Sequence, residues 1–181
     1  MATALADDHI SGSTEPWVQQ LIVALLIAQQ RPKPVVLECG GFLGHTSVKL
    51  AKALGEMGGG TLIVAEYDPE APERADAVAA ALADAPATVT VSVRREDALA
   101  VIASLLDESC DFAFLDDDHS HEHVAAELRA LWPKMRTGGI ICGHDVFGSC
   151  DLRQEFEAVG GYALDLPKLG TAGGLGIVQV R

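Results

Sequence analysis

The chain has few aromatic residues, at 5% of the sequence, so its core must be built from Ala, Val, Leu and Ile. It is also poor in cations, with 13 Lys and Arg against 26 Asp and Glu and a net charge of -13. No run of Lys and Arg offers the clustered positive charge that a nucleic-acid backbone or an anionic membrane surface requires. The four cysteines, Cys39, Cys110, Cys142 and Cys150, make no C-x-x-C pair and no zinc ligand set. Three of them lie in or beside apolar strand-like runs and read as buried free thiols, and reduced cysteines suit a reducing compartment. Leu21 to Ala28 is too short to span a bilayer, and no basic segment, apolar stretch and cleavage site open the chain. These absences lead us to expect a cytoplasmic protein with neither a nucleic-acid nor a membrane partner.

Hydrophobic residues at 49% and charged residues at 22% give the profile of a globular domain. A chain of this length buries enough surface to fold as one domain without disulfide or metal. We expect a loose tail over residues 1–13 and one domain over 14–181. Ser13 or Thr14 and Pro16 signal the start of a helix running to about Gln30, ended by Arg31-Pro32-Lys33-Pro34. An alternation of short apolar runs and helical periodicity follows. Strands are predicted at 35–38, 61–65, 88–93, 111–115 and 140–142, with helices at 44–57, 69–84, 97–106, 121–135 and 152–159. Two more strands are expected in 162–181, around Gly170 to Gly174. Such alternation makes an α/β fold, a parallel sheet covered on both faces.

Ligands of such sheets bind beyond the carboxyl ends of the strands, where the strand order reverses. This chain puts Glu38, Glu66, Asp116 and the pair His144 and Asp145 at strand ends. The first of these opens the segment Glu38-Cys39-Gly40-Gly41-Phe42-Leu43-Gly44-His45. It is not a dinucleotide fingerprint: from Gly40 the third position is Phe42 and the sixth His45, and from Gly41 the third is Leu43. It is not a P-loop, because Gly-Lys is absent. A carboxylate at Glu38 would repel a pyrophosphate but suit the ammonium of an amino-acid cofactor.

In these features the chain, from Val35 to Arg181, resembles the class I S-adenosylmethionine (SAM)-dependent methyltransferases. Glu38, Gly40 and Gly44 match their acidic-x-Gly-x-x-x-Gly motif. Glu66 matches the acidic residue that closes the second strand and contacts ribose. Asp97 matches the acidic residue near adenine after the third strand. The resemblance implies a Rossmann-like, seven-stranded, mostly parallel sheet with an antiparallel last strand and helices on both faces. It also implies a SAM site that includes Gly41, His45, Tyr67, Ala98 and Asp116 beside those landmarks.

The segment Asp116-Asp117-Asp118-His119-Ser120 and the strand end Gly143-His144-Asp145 are similar to a subfamily of small-molecule O-methyltransferases, and more distantly to metal-dependent catechol and macrolide-sugar O-methyltransferases. The resemblance implies a metal set of Asp116, His144 and Asp145 holding Mg²⁺ or Mn²⁺, with His119 as general base. Mg²⁺ prefers oxygen ligands, so His144 points either to a softer ion or to no ion, with His144 itself as base. The implied function is methylation of a small hydroxylated molecule, a sugar or secondary metabolite. A SAM-fold binding protein without methyl transfer and a metal-dependent hydrolase are the alternatives. Asp117 and Asp118 read as helix caps, and His121 and His123 as surface residues of a first helical turn. Trp17 and Trp132 read as core. With no long insertion visible, only Thr14 to Gln30 and the loop from Phe147 to Asp151 can serve as a lid, and a homodimer is expected to complete the pocket.

Overall fold

The computed structural model describes residues 14–147, 153–164 and 173–181. The expected tail, the cap at Ser13, most of the loop from Phe147 to Asp151 and Gly170 to Ala172 lie outside the described residues. The elements run α1 (Pro16–Ala28), β1 (Val35–Cys39), α2 (His45–Glu56), β2 (Gly60–Ala65), α3 (Arg74–Ala81), β3 (Val89–Arg94), α4 (Ala98–Ser104), β4 (Cys110–Leu115), α5 (His121–Leu131), β5 (Met135–His144), α6 (Arg153–Ala158), β6 (Tyr162–Leu164) and β7 (Leu175–Gln179). They form one seven-stranded sheet of order β3-β2-β1-β4-β5-β7-β6. The pairings among β1 to β5 are parallel, and β7 runs antiparallel to both β5 and β6. Strand order reverses between β1 and β4, so a crevice opens at their carboxyl ends.

Two apolar layers flank the sheet. One packs α4, α5 and α6 against Leu37, Cys39, Ala113, Leu115 and Ile141. The other packs α1, α2 and α3 against Val36, Leu62, Val64, Phe112, Phe114 and Cys142. Successive strand residues point to opposite faces. Along β1 this period sends Cys39 toward one layer, while Glu38 meets Ser47 of α2 on the other. Trp17 and Trp132 pack against these layers as expected. Cys39, Cys110 and Cys142 are buried free thiols. Among the described residues, no helix is long and apolar enough to cross a membrane.

Local chemistry moves several boundaries. The helix expected from Pro69 begins at Arg74. Pro72 cannot donate a backbone bond, and Asp68 holds the preceding turn by accepting Glu70 N–H at 2.8 Å and pairing with Arg74 at 2.7 Å. Helix α5 stops at Leu131 and passes into a 3-10 turn, Trp132–Lys134, that contains Pro133. Strand β5 is far longer than expected, because Thr137-Gly138-Gly139 does not close a helix. It forms an irregularity in the ladder, where Cys110 pairs with Met135 and Phe112 with Ile140. Gly138 takes φ +82° there, a left-handed conformation that glycine adopts without steric cost. Helix α1 is capped by Glu15 and receives no side-chain cap bond.

The far edge of the sheet is built around Phe156, which is fully buried. A methyl group added at Gly143 or Gly176 would lie 2.9 or 2.8 Å from its ring, so both strands yield their side-chain space to α6. Phe156→Ala is therefore expected to cost about 3–5 kcal/mol, as buried Phe truncations do. Gly176→Ala should cost about 1–3 kcal/mol by overpacking. Urea midpoints with unchanged slopes would measure both, and a Phe156→Ala loss below about 1 kcal/mol would contradict this packing.

Candidate active site

The turn after β1 is fixed by contact with β4. Gly40 has φ +86°, and a Cβ there would sit 2.2 Å from the Asp116 carbonyl oxygen. Asp116 N–H in turn donates to the Cys39 carbonyl at 2.9 Å. Gly44, at φ +84°, caps α2, and a Cβ would fall 2.7 Å from that of Ala81. Between them Phe42 also adopts positive φ, 49°. Its amide donates to Glu66 Oε2 at 2.7 Å, and its ring lies 5.0 Å beneath the Arg74 guanidinium. Glu66 thus clamps the glycine turn from the end of β2. Burial raises its carboxyl pKa, opposed by the Phe42 amide and the Arg74 charge.

Glu38 lies behind the glycine turn. It is fully buried and accepts a 2.5 Å hydrogen bond from Ser47 Oγ, while its Oε1 has no hydrogen-bond partner. Burial pushes its carboxyl up to about 8; the Ser47 bond opposes this, and the nearby charges of Asp116 and Glu66 add to it. Glu38 is outside the lining of the cavity and supports the turn through Ser47.

The cavity itself has a volume of about 850 Å³ and lies over the ends of β1, β2, β4 and β5. Gly40, Gly41 and His45 form its glycine-turn wall, and Glu66, Tyr67, Asp97 and Ala98 a second wall. Asp97 also caps α4 by accepting Leu99 N–H at 2.9 Å. Gly44 shapes the turn without lining the space. Asp116, His119, His144 and Asp145 close the far end. The structure therefore brings every expected site residue except Glu38 and Gly44 to one surface.

At that far end His144 is held on both sides. Its Nδ1 lies 2.9 Å from Asp116 Oδ1 and its Nε2 2.8 Å from Glu15 Oε2. Asp116 Oδ2 accepts Thr14 Oγ1–H at 2.6 Å. Burial disfavours the charged ring, but the bond to Asp116 and the charges of Asp116, Asp145 and Glu15 outweigh it and raise His144 to about 9. Both ring nitrogens therefore face carboxylates. Asp145 Oδ1 lies 3.6 Å from the same ring, so the three expected metal residues stand together at this end of the cavity. His119 is half exposed, with Nδ1 3.6 Å from Asp145 Oδ2.

Thr14 and Glu15 were legible only as a helix start and a lid segment, because their partners lie 102 and 129 residues away. Asp118 does not cap α5, whose N-cap is Ser120 without a side-chain bond; it accepts Ser120 N–H at 2.7 Å in the turn before the helix. His121 faces Glu155 at 2.8 Å. His123, expected at the surface, is instead mostly buried, with Nε2 3.1 Å from Asp117 Oδ2 at the cavity wall. The overlooked signal is Glu127, four residues on, which stands within the apolar stripe Val124, Ala125, Leu128 and Leu131.

An imidazole held protonated in the fold has a signature in stability. Unfolded, it loses its proton near 6.5; folded, near 9. His144 thus stabilises the fold fully below pH 6.5, and the contribution disappears as pH rises through 9. Unfolding free energy should fall over that window, and His144→Gln should flatten the fall. Urea titrations at stepped pH would show it; an equal slope in the variant would contradict the clamp.

A family model described as a methyltransferase domain matches residues 37–146. No curated protein matches the chain. The fold is similar to that of an O-methyltransferase from Bacillus cereus in complex with SAH, with TM-score 0.73, 19% identity and coverage of 95% of this chain and 84% of that one. Cofactor-bound Rv0187 from MTB gives TM-score 0.72 and 20% identity over 97% of this chain and 85% of that one. The O-methyltransferase TomG from Streptomyces achromogenes, involved in tomaymycin synthesis and in complex with SAM, gives 0.65 and 20% over 96% and 84%. The matched segment runs from the middle of β1 to just past β5, over more than half of the chain and through the whole glycine turn and both strand-end clusters, and the chain belongs to the methyltransferase-domain family.

Proposed function

We propose that the chain transfers the methyl group of SAM to a hydroxyl oxygen of a small molecule. The observation that carries this reading is the single cavity in which the glycine turn, Glu66 and Asp97 face the Asp116–His119–His144–Asp145 end. Its volume of about 850 Å³ suits a nucleoside cofactor together with a small acceptor. Its walls fit SAM chemically: Gly40 and Gly41 present side-chain-free backbone to the cavity, Glu66 and Asp97 offer acceptors to hydroxyl and amino groups, and an acid-rich rim favours a cation. When bound, SAM supplies an electrophilic methyl on a positively charged sulfur. The proposal is also supported by the similar folds, two of which belong to proteins described as O-methyltransferases.

The chain's own residues divide the remaining work. His119 stands on the cavity wall with Asp145 beside it, so it can accept the acceptor hydroxyl's proton while Asp145 stabilises the resulting imidazolium. His144 already carries its proton and acts instead as a fixed positive charge between Asp116 and Glu15. Through it, and through Thr14, the start of α1 is drawn against the cavity and narrows access. No metal enters this reading at His144.

SAM should bind with micromolar affinity in calorimetry, and Glu66→Ala should weaken it at least tenfold by releasing the Phe42 amide and removing a wall acceptor. His119→Ala should keep SAM affinity but lower methyl transfer by about 10²–10⁴-fold, the range for loss of a general base. Absence of SAM binding would overturn the reading. Binding without turnover across a panel of hydroxylated acceptors would assign the chain to a binding role instead.

A further inference from the structure

A second cluster lies in the cavity wall, apart from the His144 clamp. His123 Nε2 is 3.1 Å from Asp117 Oδ2 and 3.8 Å from Glu127 Oε1. One donor atom from each of the three residues lies within 4.8 Å of the others. Asp117 and His123 line the cavity, whereas Glu127 is completely buried behind them. Neither Glu127 oxygen, nor Asp117 Oδ1, meets a hydrogen-bond partner of good geometry among the described residues, although the Asp117 carboxylate and the Cys39 thiol stand near enough to Glu127 to share a proton with it. Two carboxylates and one imidazole in a half-closed wall are an unbalanced set. A buried carboxylate without a partner carries a desolvation penalty that evolved structures relieve with a proton or a cation.

We propose that Asp117, His123 and Glu127 hold a divalent first-row transition ion, with Zn²⁺ or Mn²⁺ as its class, in the wall of the cavity. Donors about 2.0–2.2 Å from such an ion lie roughly 3.0–3.6 Å from one another, close to the two separations seen. An imidazole with two carboxylates favours this class over Mg²⁺ or Ca²⁺, which take oxygen ligands. The helix presents His123 and Glu127 on one face at a spacing of four residues, so they need no rearrangement to share an ion. Asp117 then ties the β4–α5 turn to that face. The ion neutralises Glu127 and fixes the turn that carries Asp116 and His119, and a coordination position remains toward the cavity for water or ligand. Without an ion, burial and the neighbouring Asp117 charge hold the Glu127 proton up to about 10.

The test uses the untagged full chain, stripped with EDTA and then titrated calorimetrically with ZnCl₂, MnCl₂ and MgCl₂. Thermal midpoints are recorded alongside, together with the visible absorption of added Co²⁺. One equivalent of Zn²⁺ or Mn²⁺ should bind, raise the midpoint and outcompete Mg²⁺. Glu127→Gln, which mimics the protonated carboxyl, should keep the stripped protein's midpoint but weaken binding at least about tenfold. Asp117→Asn, at the cavity surface, should do the same and serves as the second variant. His144→Gln should bind as the unaltered chain does. The proposal fails if no ion binds stoichiometrically, if Mg²⁺ binds tighter than the other two, or if His144→Gln loses the ion while Glu127→Gln keeps it. The last result would move the ion to the Asp116 side.

Discussion

The crevice depends on one backbone contact that leaves no room for a side chain. Where β1 ends, Gly40 lies against the carbonyl and Cα of Asp116 and Asp117 at the end of β4. Two neighbouring parallel strands would ordinarily diverge here into separate loops. The missing Cβ lets them stay in contact one residue longer, so the glycine turn and the acid-rich β4 turn share a wall. Gly44 then turns the chain into α2, and Glu66 fastens the turn from β2. The distance between the two halves of the cavity is set by this junction, not by side-chain packing.

Around the junction the protein concentrates negative charge and handles each case by a different route. Glu38 and Glu127 are buried, and burial raises both. Asp116 instead faces His144, which it keeps protonated with help from Glu15 and Asp145. The two histidines of the far end consequently differ in kind. His144 is buried among carboxylates that raise its pKa to about 9, and His119 is the half-exposed ring. Similar residue types are sorted by burial and by the number of carboxylates around them.

The fold was readable because its strands are short, apolar and punctuated by acids and glycines, and the alternation of period and length leaves little choice of architecture. The cavity walls were readable for the same reason: Glu66, Asp97 and Asp116 each stop a strand or start a helix. What escaped was decided by contacts distant in sequence or by facing direction. Glu38 and Cys39 are adjacent, yet one turns toward α2 and the other toward α5, and the motif alone does not say which carboxylate reaches the cavity. His123 looked like a surface residue of a first turn because its burial comes from Asp117 and the cavity wall. Strand β5 was read too short because Gly138 and Gly139 signal a stop to helix and strand alike, and only pairing with β4 shows that they form an irregularity in the ladder.

The pairing of Glu15 with His144 has a consequence for how the molecule is made. A ribosome releases the first of these residues long before the second, and His144 ends a strand whose parallel neighbour is β4. The crevice therefore cannot assume its final electrostatics on a partial chain. Until β5 has emerged, the carboxylates of Glu15 and Asp116 lack the imidazole that joins them.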